Sequence, residues 1–508
     1  MIKTLNSSKT EKDLIKFKYD GAYCEIIGSS DELLQNIARL ILTYTDHKIS
    51  YANKFSRKTY LPSDQVCLLK NNKFFTGLLP RVSYAYSNRG LRCEFESLIN
   101  GVLPVQLELP DHLWEHQKRI IAQALDVRRG VVQSATGSGK TLTAAWLAKH
   151  FPTENILFVV PDEQILHHNV RALTEVLEEN IGQISGKTKR WERVTVGIIN
   201  SLFRAVDTNP EKFKEITVLI VDEAHRCGNT KMYKTVCNSL VNTGYRIGFS
   251  ATGWREAGDN LVMEGLLGPT IIKVTPEELT NLGVLVKPKF YMVSIPDSNK
   301  LYSNYSSISH TYLTPNQKPI RLEVYRQEII NNPIRNRCIA DITKWYLQTK
   351  INGSALILVE NIEHGEIIQD LLQKELGIAV PYVHGKSHIR EREEVLEKLN
   401  SQELKVVVAS AIFNEGKDIK SLGMLIIAGG GQASSKLLQQ VGRVTRTAKS
   451  KTSCLVFDFF DEEQFYLSAN SVKRKKTFDT FFSNSSYKVK LEKLSEVLND
   501  IQQNKGQT

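Results

Sequence analysis

Residues Ser134 to Thr141 read SATGSGKT and lie between an apolar run, GVVQ, and a helical pattern, LTAAWLAKH. A phosphate chain is held by backbone N–H groups that close around it, and only small residues let the backbone come that near. Thr136, Gly137, Ser138 and Gly139 supply such a loop, Lys140 can reach the β- and γ-phosphates, and Thr141 can hold Mg2+. The helix that follows adds the positive end of its dipole. Downstream, VLIVDEAH from Val218 to His225 closes an apolar strand on two acids. Carboxylates at the end of a buried strand are costly unless they meet a cation. Asp222 is suited to the water shell of Mg2+, and Glu223 to polarising an attacking water. A Gly-Ser turn or a helix N-cap would explain either motif alone, but not the two in this order with a strand before the loop and a helix after it. The chemistry implied is hydrolysis of a nucleoside triphosphate.

Such a site has to be carried by strand ends, and the chain supplies them. From Val131, short apolar runs alternate with helical patterns, the signature of a parallel sheet covered by helices. ILFVVP (156–161), VTVGII (194–199), VLIVDE (218–223) and RIGFSAT (246–252) read as buried central strands. The pattern restarts with ALILVE (355–360), AVPYVHG (379–385), KVVVAS (405–410), MLIIAG (424–429) and CLVFDF (454–459). Two α/β domains are expected, with their boundary near Asn331–Asn336 and a Ser-, Tyr-, Asn- and Pro-rich insertion from Pro296 towards Lys318. Residues 1–108 carry neither a phosphate loop nor βα alternation and read as a small α+β module. The expected domains are therefore 1–108, 109–330 and 331–508.

The 508 residues exceed what one core serves, and the apolar (41%) and charged (24%) fractions are those of an ordinary globular protein. Seven cysteines with no C-x-x-C pair argue against a zinc site or a disulfide framework. The amino terminus lacks an apolar signal core, and no run reaches the ~18 apolar residues that span a bilayer, so no membrane partner and a cytoplasmic location are expected, the host cytoplasm if the protein is viral. A net charge of +11 favours a polyanion. Between Lys48 and Arg92 the cations Lys54, Arg57, Lys58, Lys73 and Arg81, with four more, face the single acid Asp64 and are interleaved with Tyr51, Phe55, Tyr60, Phe74, Phe75, Tyr84 and Tyr86. That mixture suits a phosphate backbone with stacking on unpaired bases; the alternative is a solvated lysine face over core aromatics.

SATGSGKT, DEAH and SAT, the last at Ser250, Ala251 and Thr252, resemble motifs I, II and III of the superfamily 2 helicases, in order. The resemblance extends from Leu113 to Arg446. LWEHQKRIIAQAL is similar to the element whose glutamine, here Gln117, reads the adenine edge; ATP and Mg2+ are thereby implied. VVPDEQIL, with Pro161, and GIINSL, with Ser201, resemble motifs Ia and Ib, implied to touch the nucleic-acid backbone. VVVASAIFNEGKDI resembles motif V, with Gly416 and Asp418 at the nucleotide-contacting positions. QQVGRVTR resembles motif VI, in which Gln440 stands where an arginine is common. Arg443 and Arg446 would there act as arginine fingers, and His225, Ser250, Thr252 and Gln439 would couple hydrolysis to the track. Two tandem RecA-like parallel-sheet domains with a small N-terminal α+β domain are the fold this implies.

The amino-terminal region and the tail, CLVFDFFDEEQFYLSANSVKRKKTFD with its Lys473–Lys476 basic cluster, resemble the bacteriophage UvsW-type helicases, which act on branched DNA. The resemblance implies a monomeric, ATP-dependent DNA helicase working at forks and four-way junctions in recombination, repair or replication, with a single-strand-binding or recombination protein as candidate partner. An RNA remodeller and a duplex-pumping motor subunit of a nuclease assembly are the other readings. An inactive clamp is disfavoured because Lys140, Asp222, Glu223, Arg443 and Arg446 are all present.

Overall fold

The computed structural model describes residues 14–27, 32–54, 63–99, 101–228, 230–251, 258–296, 318–349, 351–410, 421–431, 441–442, 445, 454–462, 465–482 and 486–504. The chain forms two compact units, one of residues 1–134 and 139–274, the other of residues 275–508 with the loop 135–138.

The first unit opens with β1 (Leu14–Tyr19) and β2 (Tyr23–Ile27), an antiparallel pair. In LIKFKY, Ile15 and Phe17 are buried while Lys16 and Lys18 face outward, the period-2 alternation of a one-sided sheet. A short pair, β3 (Thr43–Thr45) and β4 (Gln65–Cys67), stands apart. β5 (Lys73–Phe75) and β6 (Arg92–Ser97) complete a four-stranded sheet in the order β5-β2-β1-β6, with β6 parallel to β1. The helices Glu32–Ile41 and Leu79–Ser87 bury Leu34, Ile37, Ala38, Val82 and Tyr86. This is the expected α+β module.

An eight-stranded sheet follows: β7 (Arg129–Ser134), β8 (Ile156–Val160), β9 (Gly182–Ile184), β10 (Lys189–Arg190), β11 (Val194–Ile198), β12 (Val218–Asp222), β13 (Tyr245–Ser250) and β14 (Thr270–Val274). Its order is β10-β9-β11-β8-β12-β13-β7-β14, and every pairing except β9–β10 is parallel. Strands covered on both faces carry unbroken apolar runs, which is why ILFVV and VLIV were legible. Parallel strands bring their carboxyl ends to one edge, so Ser134, Val160, Ile198, Asp222 and Ser250 close the same side of the sheet, where α/β folds place ligands.

Module and sheet domain share one apolar core. Ile15, Phe17, Phe74, Phe75 and Leu78 belong to a single buried cluster with Val131, Leu157, Leu219, Leu240, Leu266 and Leu267. At the seam Gly21 donates its N–H to the Val241 carbonyl (2.6 Å), and Arg129 Nη2 donates to the Gly21 carbonyl (2.8 Å). Gly77 leaves no room for a side chain, since a Cβ there would run into the backbone of Glu264, Gly265 and Gly268.

The second unit holds a seven-stranded, wholly parallel sheet of β15 (Pro288–Ile295), β16 (Ser354–Val359), β17 (Tyr382–Val383), β18 (Val406–Ser410), β19 (Leu422–Ile427), β20 (Cys454–Asp461) and β21 (Ser486–Lys490), in the order β17-β18-β16-β19-β20-β15-β21. β15 differs from the sequence reading, which put residues up to 330 in the first α/β domain: it runs between β20 and β21, and the division falls at Val274/Thr275. The expected insertion lies outside the described residues for 297–317. In the tail's Lys473–Lys476 basic cluster one cation turns inward. Arg474 is buried and pairs with Asp458 (2.8 Å), while Arg335 pairs with Asp461. The fold is thus two tandem RecA-like parallel-sheet domains preceded by a small α+β domain.

Candidate functional site

β7 ends at Ser134 and the helix Lys140–Lys149 begins six residues later, with the loop between turned by Gly137 (φ 89°) and Gly139 (φ 78°). Both lie in the left-handed region that glycine enters without strain. Gly139 also needs its lack of a side chain because the Gln117 amide occupies the space a Cβ would take. Gln117 is buried; its Nε2 lies 3.4 Å from the Gly139 carbonyl as donor, and its Oε1 accepts from the Trp114 N–H at 3.0 Å. The residue expected to read a base is thus tied to the phosphate loop itself. Lys140 donates to the Ser134 carbonyl (3.3 Å), which holds the ammonium over the loop.

β12 delivers the two acids. Asp222 Oδ2 accepts from the Asn169 amide (3.2 Å) and Oδ1 from the Glu223 N–H (2.9 Å). Asn169 sits on the helix Glu163–Leu177 and is buried; no local signal in the sequence marked it. Burial raises the Asp222 carboxyl above its ordinary range and the neighbouring Glu223 charge raises it further, while Lys140 and Asn169 pull the other way. For Glu223 burial also pushes upward, but the His225 hydrogen bond and the charges of Lys140, His225 and Arg226 outweigh it and hold the carboxyl below its usual value. Glu223 adopts φ 51°, a left-handed turn that non-glycine residues seldom take and that recurs at functional sites. His225 Nδ1 lies 3.2 Å from Glu223 Oε2 and 3.1 Å from Ser250 Oγ.

These groups fit Mg2+. A strand-end carboxylate whose ionised form burial disfavours, with a threonine hydroxyl at the start of the phosphate loop's helix, offers the hard oxygen donors of an ion that keeps water and phosphate oxygens as its other ligands. Among the described residues no cluster of three or more His, Cys, Asp or Glu could hold a metal unaided.

Strand topology brings Thr136 to Thr141, Asp222, Glu223, His225 and Ser250 to one sheet edge, because β12, β13 and β7 are consecutive. Pro161 directly follows β8, and Ser201 lies in the first turn of the helix Ile199–Thr208 that follows β11; since Val160 and Ile198 are in register, both elements leave the sheet at that edge. The module's cations are less uniform. Lys73 pairs with Glu25 (3.3 Å), and Arg81 donates to both oxygens of Glu264 (3.0 and 2.7 Å). Phe74, Phe75 and Tyr86 are core residues, whereas Tyr84 is 69% exposed. Lys54 ends the helix His47–Lys54. Its side chain, and Arg57, Lys58, Thr252, Gly416, Asp418, Gln439, Arg443 and Arg446, lie outside the described residues. Among the described residues no helix is long and apolar enough to cross a membrane.

Two family models match the chain: the type III restriction enzyme res subunit over residues 104–255, and the helicase conserved C-terminal domain over residues 336–448. A putative helicase of a Sulfolobus islandicus filamentous virus is 25% identical over 68% of this chain and 63% of its own length. The ATP-dependent DNA helicase uvsW of Enterobacteria phage T4 is 24% identical over 71% of this chain and 70% of its own. Among solved structures, the ATP-dependent Type ISP restriction-modification enzyme LlaBIII bound to DNA superposes with a TM-score of 0.56 at 14% identity, over 80% of this chain and 34% of that one. The chain thus spans under two thirds of the viral relative and about a third of the restriction enzyme. With both helicase domains present and the phosphate loop and acid pair set on one sheet edge, the chain belongs to the ATP-dependent helicases of superfamily 2, related to the uvsW helicase.

Proposed function

We propose that the chain is an ATP-driven DNA motor that acts on forks and four-way junctions. The observation that carries the motor is the Asp222–Glu223 pair at the end of β12, within reach of the Lys140 charge, on the sheet edge where the phosphate loop follows β7. On this reading the backbone of Thr136 to Gly139 and the Lys140 ammonium bind the triphosphate, Thr141 and Asp222 hold Mg2+, and Gln117 binds the adenine edge. The metal ion, when bound, neutralises charge on the phosphates. Glu223, kept ionised by His225 and Lys140, orients the attacking water and takes up its proton. Gly416 and Asp418 contact the nucleotide, Arg443 and Arg446 stabilise charge on the transferring phosphoryl group, and Gln439, with His225, Ser250 and Thr252, links hydrolysis to strand movement. Pro161 and Ser201 touch the strand's backbone.

DNA is favoured as the track by the uvsW relative's stated activity, by the net charge of +11 and by the module and tail that resemble the branched-DNA helicases. Lys54, Arg57, Lys58 and Lys73 are the module's proposed phosphate contacts, with the exposed Tyr84 as its stacking candidate. The test is ATP turnover with single-stranded DNA, linear duplex, a synthetic four-way junction and matched RNA, with Glu223→Gln as the inactive control. Strongest stimulation by the junction, with its arms separated as ATP is consumed, supports the reading. Stimulation by RNA alone, or an equal response to every duplex, overturns the track and leaves the motor.

A further inference from the structure

β6 closes one side of the amino-terminal module's sheet, and among the described residues no strand pairs with its outer edge. A parallel ladder turns the backbone groups of alternate residues to opposite sides. Leu98 donates its N–H to the Tyr19 carbonyl (2.8 Å), so Glu94 and Glu96 bond towards β1. The N–H and C=O groups of Cys93 and Phe95 therefore point out along the open edge. Side chains sort by the same period of two. Glu94 and Glu96 take the face of Lys16 and Lys18, with which they pair (3.7 and 2.7 Å). Cys93 and Phe95 take the other face, beneath the helix Leu79–Ser87, where the Cys93 thiol donates to the Ser83 carbonyl (3.8 Å). Between that helix and the edge runs a groove of about 600 Å³, lined by Pro80, Ser83, Tyr84, Leu91, Cys93 and Phe95 among others. Its size is that of small-ligand sites, ~300–1,000 Å³. Two rings stand open in it, Tyr84 at 69% and Phe95 at 54% exposure. Phe95 stacks on Phe17 (centroids 5.6 Å apart, 14° between planes) and Phe17 on Tyr86 (6.0 Å), so the exposed ring is anchored in the core. Where the helix turns into β6 stand Arg89 and Arg92, both exposed and without an acid partner among the described residues.

We infer that this groove holds an unpaired nucleotide of the DNA track, with its base against Tyr84 and Phe95 and its flanking phosphates on Arg89 and Arg92. Aromatic side chains stack on the face of any base, and a basic rim follows the backbone. The outward N–H and C=O groups of Cys93 and Phe95 add alternating donors and acceptors, which suit the edge a base uses for pairing. In a duplex that edge is occupied and the base faces are covered, so the groove separates a single-stranded arm from paired DNA. The acids of β6 do not oppose this, because Glu94 and Glu96 turn to the opposite face and are paired there. The inference rests on the proposed DNA motor and names the feature of the track that the module recognises. An open strand edge also accepts an extended peptide as a further strand. The two exposed rings and the two unpaired cations favour the nucleotide.

The test measures the affinity of the full chain for a labelled oligodeoxythymidine, an abasic strand of the same length and a blunt duplex, with melting temperature in parallel. Tyr84→Ala should weaken oligodeoxythymidine binding at least about fivefold and leave the abasic strand and the duplex within about twofold. Tyr84→Phe, which keeps the ring, should bind like the wild type. Arg89→Ala should weaken the oligodeoxythymidine and the abasic strand alike, because both carry the phosphates. A folded Tyr84→Ala chain that binds oligodeoxythymidine as tightly as the wild type overturns the site. Equal affinity of the wild type for the two single strands overturns it without any variant. A peptide of alternating valine and lysine whose binding is lost in Tyr84→Ala, while oligodeoxythymidine binding is kept, would make the groove a strand-addition site instead. A wild-type chain that binds none of the three nucleic acids overturns the proposed function, and this site with it, so the two failures are told apart.

Discussion

Asp222 and Glu223 are neighbours pushed in opposite directions, and this divergence gives each its own test. Glu223 is held below the ordinary carboxylate range, so it is ionised across the neutral region and turnover through it falls only as pH drops through that lowered value. Glu223→Gln should lower turnover by roughly 10²–10⁴-fold, the usual contribution of a positioned base, while nucleotide binding followed by fluorescence is retained. Lys140→Ala should abolish turnover and weaken nucleotide binding together, because it removes ground-state contact as well. Asp222 behaves conversely. Its folded pKa lies above the unfolded one, so the stability contributed by its neutral form is fully present below the unfolded pKa and is lost as pH rises through the folded value. Ionised Asp222 therefore costs the nucleotide-free protein stability that Lys140 and the hydrogen bonds from Asn169 and the Glu223 N–H offset only in part. Asp222→Asn should stabilise that state by on the order of 1 kcal/mol at pH 7 while removing turnover and the added stability conferred by Mg2+ with nucleotide. Calorimetry with and without Mg2+ and ADP decides it, and a lower melting temperature in the nucleotide-free variant would sink the account.

At the scale of elements, the legible parts were those in which local pattern and tertiary position agree. ILFVV and VLIVD are buried on both faces and announce themselves as central strands. SATGSGKT and DEAH sit where strands end, so the phosphate loop and the acids could be placed from the sequence alone. Two elements hid. PKFYMVSI is an ordinary strand locally, and nothing in its own residues says that it pairs with Cys454–Asp461 rather than with the sheet that precedes it in the chain. KRKK in the tail reads as a solvated cluster, but it lies on the helix Phe465–Phe481, and helical period turns Arg474 inward with Leu467, Asn470, Ser471 and Phe478 while Lys473 and Lys476 stay out. Arg474 binds Asp458, the Gly431 carbonyl (3.1 Å) and the Phe459 carbonyl (2.7 Å). Removing one member of a buried, hydrogen-bonded ion pair strands the other. Arg474→Ala should cost about 3–5 kcal/mol in chemical denaturation, while Lys473→Ala and Lys476→Ala should each stay within ~0.5 kcal/mol. Comparable losses in all three would mean that the cluster acts as a unit and that the inward face has been misassigned.

For the whole molecule, the decisive feature is that the amino-terminal module and the first α/β domain are not separable bodies. Sequence composition drew a boundary near residue 108, and a free-standing module there could be removed without harm to the ATPase. The shared core makes a different demand, because Phe74, Phe75 and Leu78 complete the same apolar cluster as Leu240, Leu266 and Leu267. Deleting residues 1–100 uncovers that surface, strands Arg129 without the Gly21 carbonyl and Glu264 without Arg81, and exposes an apolar patch of the kind that drives association. The truncated chain should therefore melt well below the intact one, bind a hydrophobic dye and elute as aggregates, with its basal turnover falling in step with the folded fraction. The module's part in choosing a track is then better read from surface substitutions that leave the seam intact, such as Tyr84→Ala or Lys73→Ala. Loss of junction preference in those variants, with basal turnover and melting temperature unchanged, would assign selectivity to the module. A truncated chain that stays monomeric and retains full turnover per molecule would show instead that the continuous core is two cores in contact and that the module is only docked.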